Sequence, residues 1–148
     1  MLDKLYLDCG MKRAYRPFRF PYGDKGGTNK DALQQYLRSH NFHKIDDTAI
    51  PYSWWREHGM HTDIDTFWTF DFEEYRLCQD AAFTLDTILA KVNDPAPQQG
   101  TALFGANNAH FILMHAHAET EEILPRYWQH LIDPLLERGL RFVKPTFL

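Results

Sequence analysis

The sequence predicts an α+β fold, with a mixed or antiparallel sheet of about five strands packed against two to three main helices. Three observations predict it. Apolar residues recur at helical spacing in some segments, alternate in another, and form short isolated runs in the rest. At 148 residues the chain has the size of one domain, and no linker, repeat or low-complexity tract divides 1–148. An apolar fraction of 44 % and an aromatic fraction of 15 % supply a core that a disordered chain lacks.

Leu5-Tyr6-Leu7 reads as a first strand. Residues 11–22 are basic and aromatic, and Pro17 and Pro21 each remove a backbone donor, so this stretch reads as an edge or extended arm. Gly23-Asp-Lys-Gly-Gly marks a loop. Thr28 or Asn29 can cap a helix over 29–39, with Leu33, Tyr36 and Leu37 at helical spacing. A short helix is expected from Ser53 to His58, ended by Gly59.

Residues 63–72 alternate, with Ile64, Thr66, Trp68, Phe70 and Phe72 on one side and Asp63, Asp65, Phe67, Thr69 and Asp71 on the other. Period two with β-favouring residues predicts a half-buried strand. The period then changes: Tyr75, Cys78, Ala82, Leu85, Leu89 and Val92 mark one face of a long helix over 73–93, stopped by Asp94-Pro-Ala-Pro. Residues 103–104 and 110–118 read as strands joined by a turn at 105–108. Leu124, Trp128, Leu131 and Leu135 define a last helix, which Pro134 is expected to kink or break, and 141–147 reads as a closing strand.

No stretch approaches the roughly 18 consecutive apolar residues of a membrane span. The first residues lack the basic segment and apolar stretch of a signal peptide. Cys9 and Cys78 are too few for a disulfide framework and lack CxxC spacing. Together these point to a reduced, cytoplasmic location. The net charge of −4 is unevenly spread: residues 1–30 carry +4 and residues 63–94 carry −6. Such a split suggests opposite faces, or two segments that pair with each other. Arg13, Arg16 and Arg19 interleave with Tyr15, Phe18, Phe20 and Tyr22 as in single-strand nucleic-acid binders. A pI near 6.0 lacks the basic footprint of such proteins, so a nucleic-acid partner is not expected.

Catalytic signatures are absent: Ser39 and Ser53 lie in no G-x-S-x-G context, the glycine loop lacks Walker spacing, and Cys78 falls on an apolar stripe. One pattern carries metal chemistry. In His115-Ala-His117-Ala-Glu119, strand alternation would project two imidazoles and a carboxylate together, a feasible shell for zinc or iron. His110, five residues before His115, would face the other way. The HxH pair resembles one element of the cupin metal motif and the HxH strand of metal-dependent amidohydrolases, without the second cupin motif or the long barrel.

The middle of the chain instead suggests binding. Trp54, Trp55 and Phe67 accompany Asp63, Asp65, Asp71, Glu73 and Glu74. Aromatic anchors dominate interface energetics, and carboxylates steer a basic partner inward. This build, which is short, acidic, aromatic-rich and without a catalytic motif, resembles the small bacterial immunity proteins that neutralise contact-dependent or secretion-system toxins. The resemblance implies a class, a non-enzymatic inhibitor that occludes the active site of a cognate toxin, with no cofactor; the acidic, aromatic middle suggests these eight residues as the surface for such a basic protein. The alternative expectation is a metal-dependent enzyme, a hydrolase, with zinc or iron on His115, His117 and Glu119.

Overall fold

A computed structural model describes residues 2–98, 101–105 and 108–148. Among these residues there are six α-helices and one parallel pair of two-residue strands, so the expected five-stranded sheet is not formed. The helices are α1 (Leu2–Asp8), α2 (Lys30–Ser39), α3 (Ser53–Glu57), α4 (Leu85–Asn93), α5 (Ala118–Ile123) and α6 (Tyr127–Glu137). The strands are β1 (Phe70–Asp71) and β2 (Ile112–Leu113), with Phe70 beside Ile112 and Asp71 beside Leu113. Contacts divide the chain into two compact units, Met1–Phe67 with Lys144–Leu148, and Trp68–Val143. No helix is long and apolar enough to cross a membrane.

In the first unit, Phe20, Leu37 and Ile64 form a buried cluster beneath Phe18 and Phe42. Leu5-Tyr6-Leu7 lies in helix α1 rather than a strand, and its three side chains are exposed. The proline-broken stretch 11–22 forms no strand: 11–20 has no regular structure, a 3-10 turn spans Pro21–Gly23, and several of its side chains are committed locally. Arg13 and Arg16 both pair with Asp3, and Tyr15 stacks on Phe147 at 4.5 Å. The closing strand reduces to a single antiparallel bridge between Ile45 and Phe147.

The alternating run 63–72 is a strand only at Phe70–Asp71, and the physical reason lies in its partners. At Ile64 a buried glutamine replaces a neighbouring strand. Gln34 Oε1 accepts from Ile64 N at 2.8 Å while Gln34 Nε2 donates to Ile64 O at 3.3 Å. Both backbone groups are thereby satisfied without a ladder. Asp63 and Asp65, expected to face solvent, are buried. A side chain that binds an inward cation overrides the period-two pattern.

The second unit packs Phe70, Phe72, Phe83, Ile88, Val92, Leu103, Tyr127, Leu131 and Leu135 into one core. Each large apolar side chain sealed there stabilises the unit by roughly 1.5–3 kcal/mol. The long helix expected over 73–93 is interrupted. A 3-10 turn spans Glu74–Cys78, Asp80 Oδ1 accepts from Ala82 N, and α4 begins afresh behind a Thr84–Thr87 capping box. Two caps outweigh one continuous apolar stripe. The last helix forms as α6, starting at Tyr127 rather than Leu124, and a left-handed φ of 57° at Arg126 separates it from α5, a helix the residue spacing did not predict. Helix α6 runs through Pro134, with Leu131 and Leu135 buried on either side of it. The strand expected at 110–118 shrinks to Ile112–Leu113, the pair 103–104 is not strand, and the turn at 105–108 includes Ala106 and Asn107, which lie outside the described residues.

Replacing Gln34 by leucine keeps the bulk but strands the N–H and C=O of Ile64. Urea unfolding should show a loss of about 2 kcal/mol or more; an unchanged midpoint would mean that the pair contributes nothing.

Candidate functional site

The residues assigned to a partner surface do not share one environment. In the first unit, Trp55 is only 1 % exposed and its indole N–H donates to Asp47 Oδ2 at 2.6 Å, while Lys44 holds the other oxygen at 2.7 Å. Trp54 and Phe67 are half-buried and flank Trp55, with ring centroids 5.7 and 6.3 Å from it. Asp63 Oδ2 receives Lys25 and Lys30, each at 3.0 Å. Asp65 Oδ1 accepts from Phe20 N at 3.0 Å. Thus part of the uneven charge along the chain resolves as two segments pairing with each other.

These two aspartates titrate in opposite senses. Burial raises Asp65 above the ordinary carboxylate value, against the bond from Phe20 N and the charge of Lys25. Burial acts the same way on Asp63, but the hydrogen bonds and charges of Lys25 and Lys30 outweigh it and hold Asp63 below 3.8.

The remaining three acids lie in the second unit, where a different constellation assembles. Parallel pairing of β1 and β2 carries the chain past Asp71 and past Leu113 side by side. Asp71 Oδ1 then accepts from Glu73 N at 2.9 Å, in the manner of an Asx turn. Glu73 takes a left-handed φ of 56°, and its carboxylate is held by Lys91 at 2.6 Å. A non-glycine residue in that region is strained by about 1 kcal/mol or more. Glu74, buried, follows this turn at the start of the 3-10 segment.

Glu74 is fully buried, with 0 % exposure. Its Oε1 accepts a short bond from His115 N and lies 3.3 Å from His115 Nδ1. Asp71 Oδ1 is 4.0 Å from the same nitrogen. One donor atom from each of Asp71, Glu74 and His115 falls within 4.8 Å of the others. The second carboxylate oxygen, Glu74 Oε2, is buried without a hydrogen-bond partner. His115 and Asp71 remain part-exposed, so water can reach the group.

Neighbours hold this corner in place. Tyr127, reaching from α6, donates its hydroxyl to His115 O and accepts from His117 N at 3.3 Å. The Tyr75 ring meets His115 edge-on at 4.8 Å. Burial, with Glu73, Asp71 and Glu74 close by, pushes the Tyr75 phenol up, so it remains a hydrogen-bond donor at neutral pH.

The HxHxE spacing places its members differently. Glu119 Oε2 lies 3.5 Å from His117 Nδ1, which also meets Thr120 Oγ1 at 3.1 Å and Cys78 Sγ at 3.7 Å. His115 instead turns to Asp71 and Glu74. His110 sits apart against Thr69 Oγ1 at 3.0 Å, its pKa lowered by burial. Sequence reasoning therefore named Asp71, Glu74 and His115 without bringing them together. The available signal was the close spacing of Asp71 and Glu74, which the left-handed turn at Glu73 brings to one corner.

Asp63→Asn tests the buried pairing in the first unit. Because the folded pKa of Asp63 lies below its unfolded value of 3.8, its stabilisation is present above that pH and is lost as pH falls through the folded value. The variant should be less stable than the parent at pH 7, with the gap closing in strong acid; a gap independent of pH would contradict the ion pairing.

No family model, no curated protein and no solved structure matches this chain.

Proposed function

We propose that this chain is a metal-dependent enzyme of the hydrolase class, holding a divalent ion on Asp71, Glu74 and His115. The observation that carries the reading is the Asp71–Glu74–His115 group, whose donor atoms fall within 4.8 Å of one another, with Glu74 Oε2 a buried carboxylate oxygen that has no hydrogen-bond partner. A buried acceptor left bare costs about 1–3 kcal/mol, and more when it is charged. A proton there would only exchange an unpaired acceptor for an unpaired donor. A cation satisfies it.

The donor set supports the choice of ion. One nitrogen and two carboxylates suit zinc, manganese or iron better than the all-oxygen shells of calcium. Three protein ligands leave coordination positions open, which distinguishes catalytic from closed structural zinc sites. Water that reaches the part-exposed side of the group could be acidified by the ion and become a nucleophile at neutral pH. Ion binding would take the place of the contact between His115 Nδ1 and Glu74 and release any proton held there.

Calorimetry with Zn²⁺ or Mn²⁺ should give one ion per chain. Glu74→Gln, which keeps an acceptor for His115 N, and His115→Ala should each weaken binding by at least about 100-fold, whereas Glu119→Ala should leave it intact. Loss of the ion with Glu119→Ala and not with Glu74→Gln would move the site to His117.

A second reading, the toxin-neutralising protein, is favoured by the aromatic rib of Tyr52, Trp54, Trp55 and Phe67. Tyr52 stacks on Trp54 at 6.1 Å, and the Trp54 indole nitrogen is buried without a hydrogen-bond partner. On this reading a cognate basic toxin is gripped through Trp54 and Phe67, with the buried Asp63 and Asp65 holding the rib's end in place. Trp54→Ala should then weaken co-purification with that toxin by tenfold or more, about 1.4 kcal/mol at a hot spot; undiminished capture would remove the rib from the interface.

A further inference from the structure

The substrate class follows from the charges around the metal group, and the step rests on the metal-site reading above. Asp71 and Glu74 carry two negative charges, so a divalent ion between them and the neutral His115 imidazole makes the centre formally neutral. The cations tied to this corner are both engaged. Lys91 Nζ lies 2.6 Å from Glu73 Oε2 and also faces the Phe70 ring at 5.6 Å. Arg76 is held between Glu73, at 3.9 Å, and Asp80, at 3.3 Å, with its guanidinium 4.3 Å from the Phe83 ring centroid.

Counted with Glu73 and Asp80, the four acids exceed Arg76 and Lys91 by two charges, and the ion cancels that excess. Phosphoryl-transfer sites add arginine or lysine clamps, or a second metal ion, to stabilise the developing charge. A phosphate ester arriving here would meet carboxylates and would have to break two ion pairs to recruit a cation. An uncharged carbonyl meets no such penalty. Its oxygen needs only polarisation by the ion.

We infer that the Asp71–Glu74–His115 centre acts on uncharged acyl compounds, esters or amides, and not on phosphate esters. In the reaction, a water oxygen joins the acyl carbon and the bond from that carbon to the leaving oxygen or nitrogen breaks. One water proton goes to the leaving group, and the other is released from the new carboxylic acid to solvent.

The test uses the full chain loaded with Co²⁺, whose visible absorption reports occupancy independently of turnover. Release of 4-nitrophenolate is followed from 4-nitrophenyl acetate and from bis(4-nitrophenyl) phosphate, with the parent and with Glu74→Gln at equal cobalt. The expected result is acetate cleavage by the parent at least about tenfold above Glu74→Gln, with phosphodiester cleavage equal in the two proteins. Phosphodiester cleavage that depends on Glu74, or acetate cleavage no faster in the parent, overturns the inference while the cobalt bands leave the metal site standing. Absence of the cobalt bands from the parent overturns both.

Discussion

A carboxylate sealed from water organises the second half of this chain. Glu74 is fully buried, and its Oε1 accepts from the backbone of His115, forty-one residues away in sequence. That bond joins the end of the β1 segment to the end of the β2 segment. Its formation requires the left-handed turn at Glu73, the Asx-type bond from Asp71, and the clamp that Tyr127 places on residues 115–117. A charged group is expensive to bury, and hydrogen bonding to it reduces the penalty. One oxygen is satisfied by the chain itself. The other has no hydrogen-bond partner, and a divalent ion held with Asp71 and His115 would complete it.

The same principle explains why so few strands form. Backbone groups in extended segments must find partners, and here side chains supply them. Gln34 brackets Ile64, and Thr69 Oγ1 both donates to Phe111 O and accepts from Phe111 N. Helices meet the need internally, which is why the helical spacing around Leu37 and the short segment at Trp55 were legible directly from residue order. The alternating run 63–72 was not, because alternation reports which side chains are apolar and says nothing of whether a partner strand exists. The stripe from Tyr75 to Val92 failed differently: Asp80 and Thr84 bind backbone N–H groups and cut it, at positions where apolar spacing alone gave no warning.

The candidate site was legible as parts without an assembly. Asp71 and Glu74 were recognisable as acids with a role, and His115 as a ligand type, but nothing local joins positions 71–74 to position 115. That contact depends on the parallel register of two very short strands, and a long-range pairing of that kind leaves almost no trace in residue order. The uneven charge was readable, and its outcome in the first unit is Lys25 and Lys30 turned onto Asp63. Acids drawn inward in this way are no longer a free negative surface, which shifts the weight of the functional reading from the acidic middle to the His115 corner.

The most direct measurement is anomalous diffraction from crystals of the protein grown with Mn²⁺ or Zn²⁺, collected on both sides of the metal's absorption edge. A single peak bonded to Asp71, Glu74 and His115, with Glu74 Oε2 among its ligands, is the predicted result. A peak held instead by His117 and Glu119, or a Glu74 carboxylate that stays unligated at saturating metal, would contradict the account.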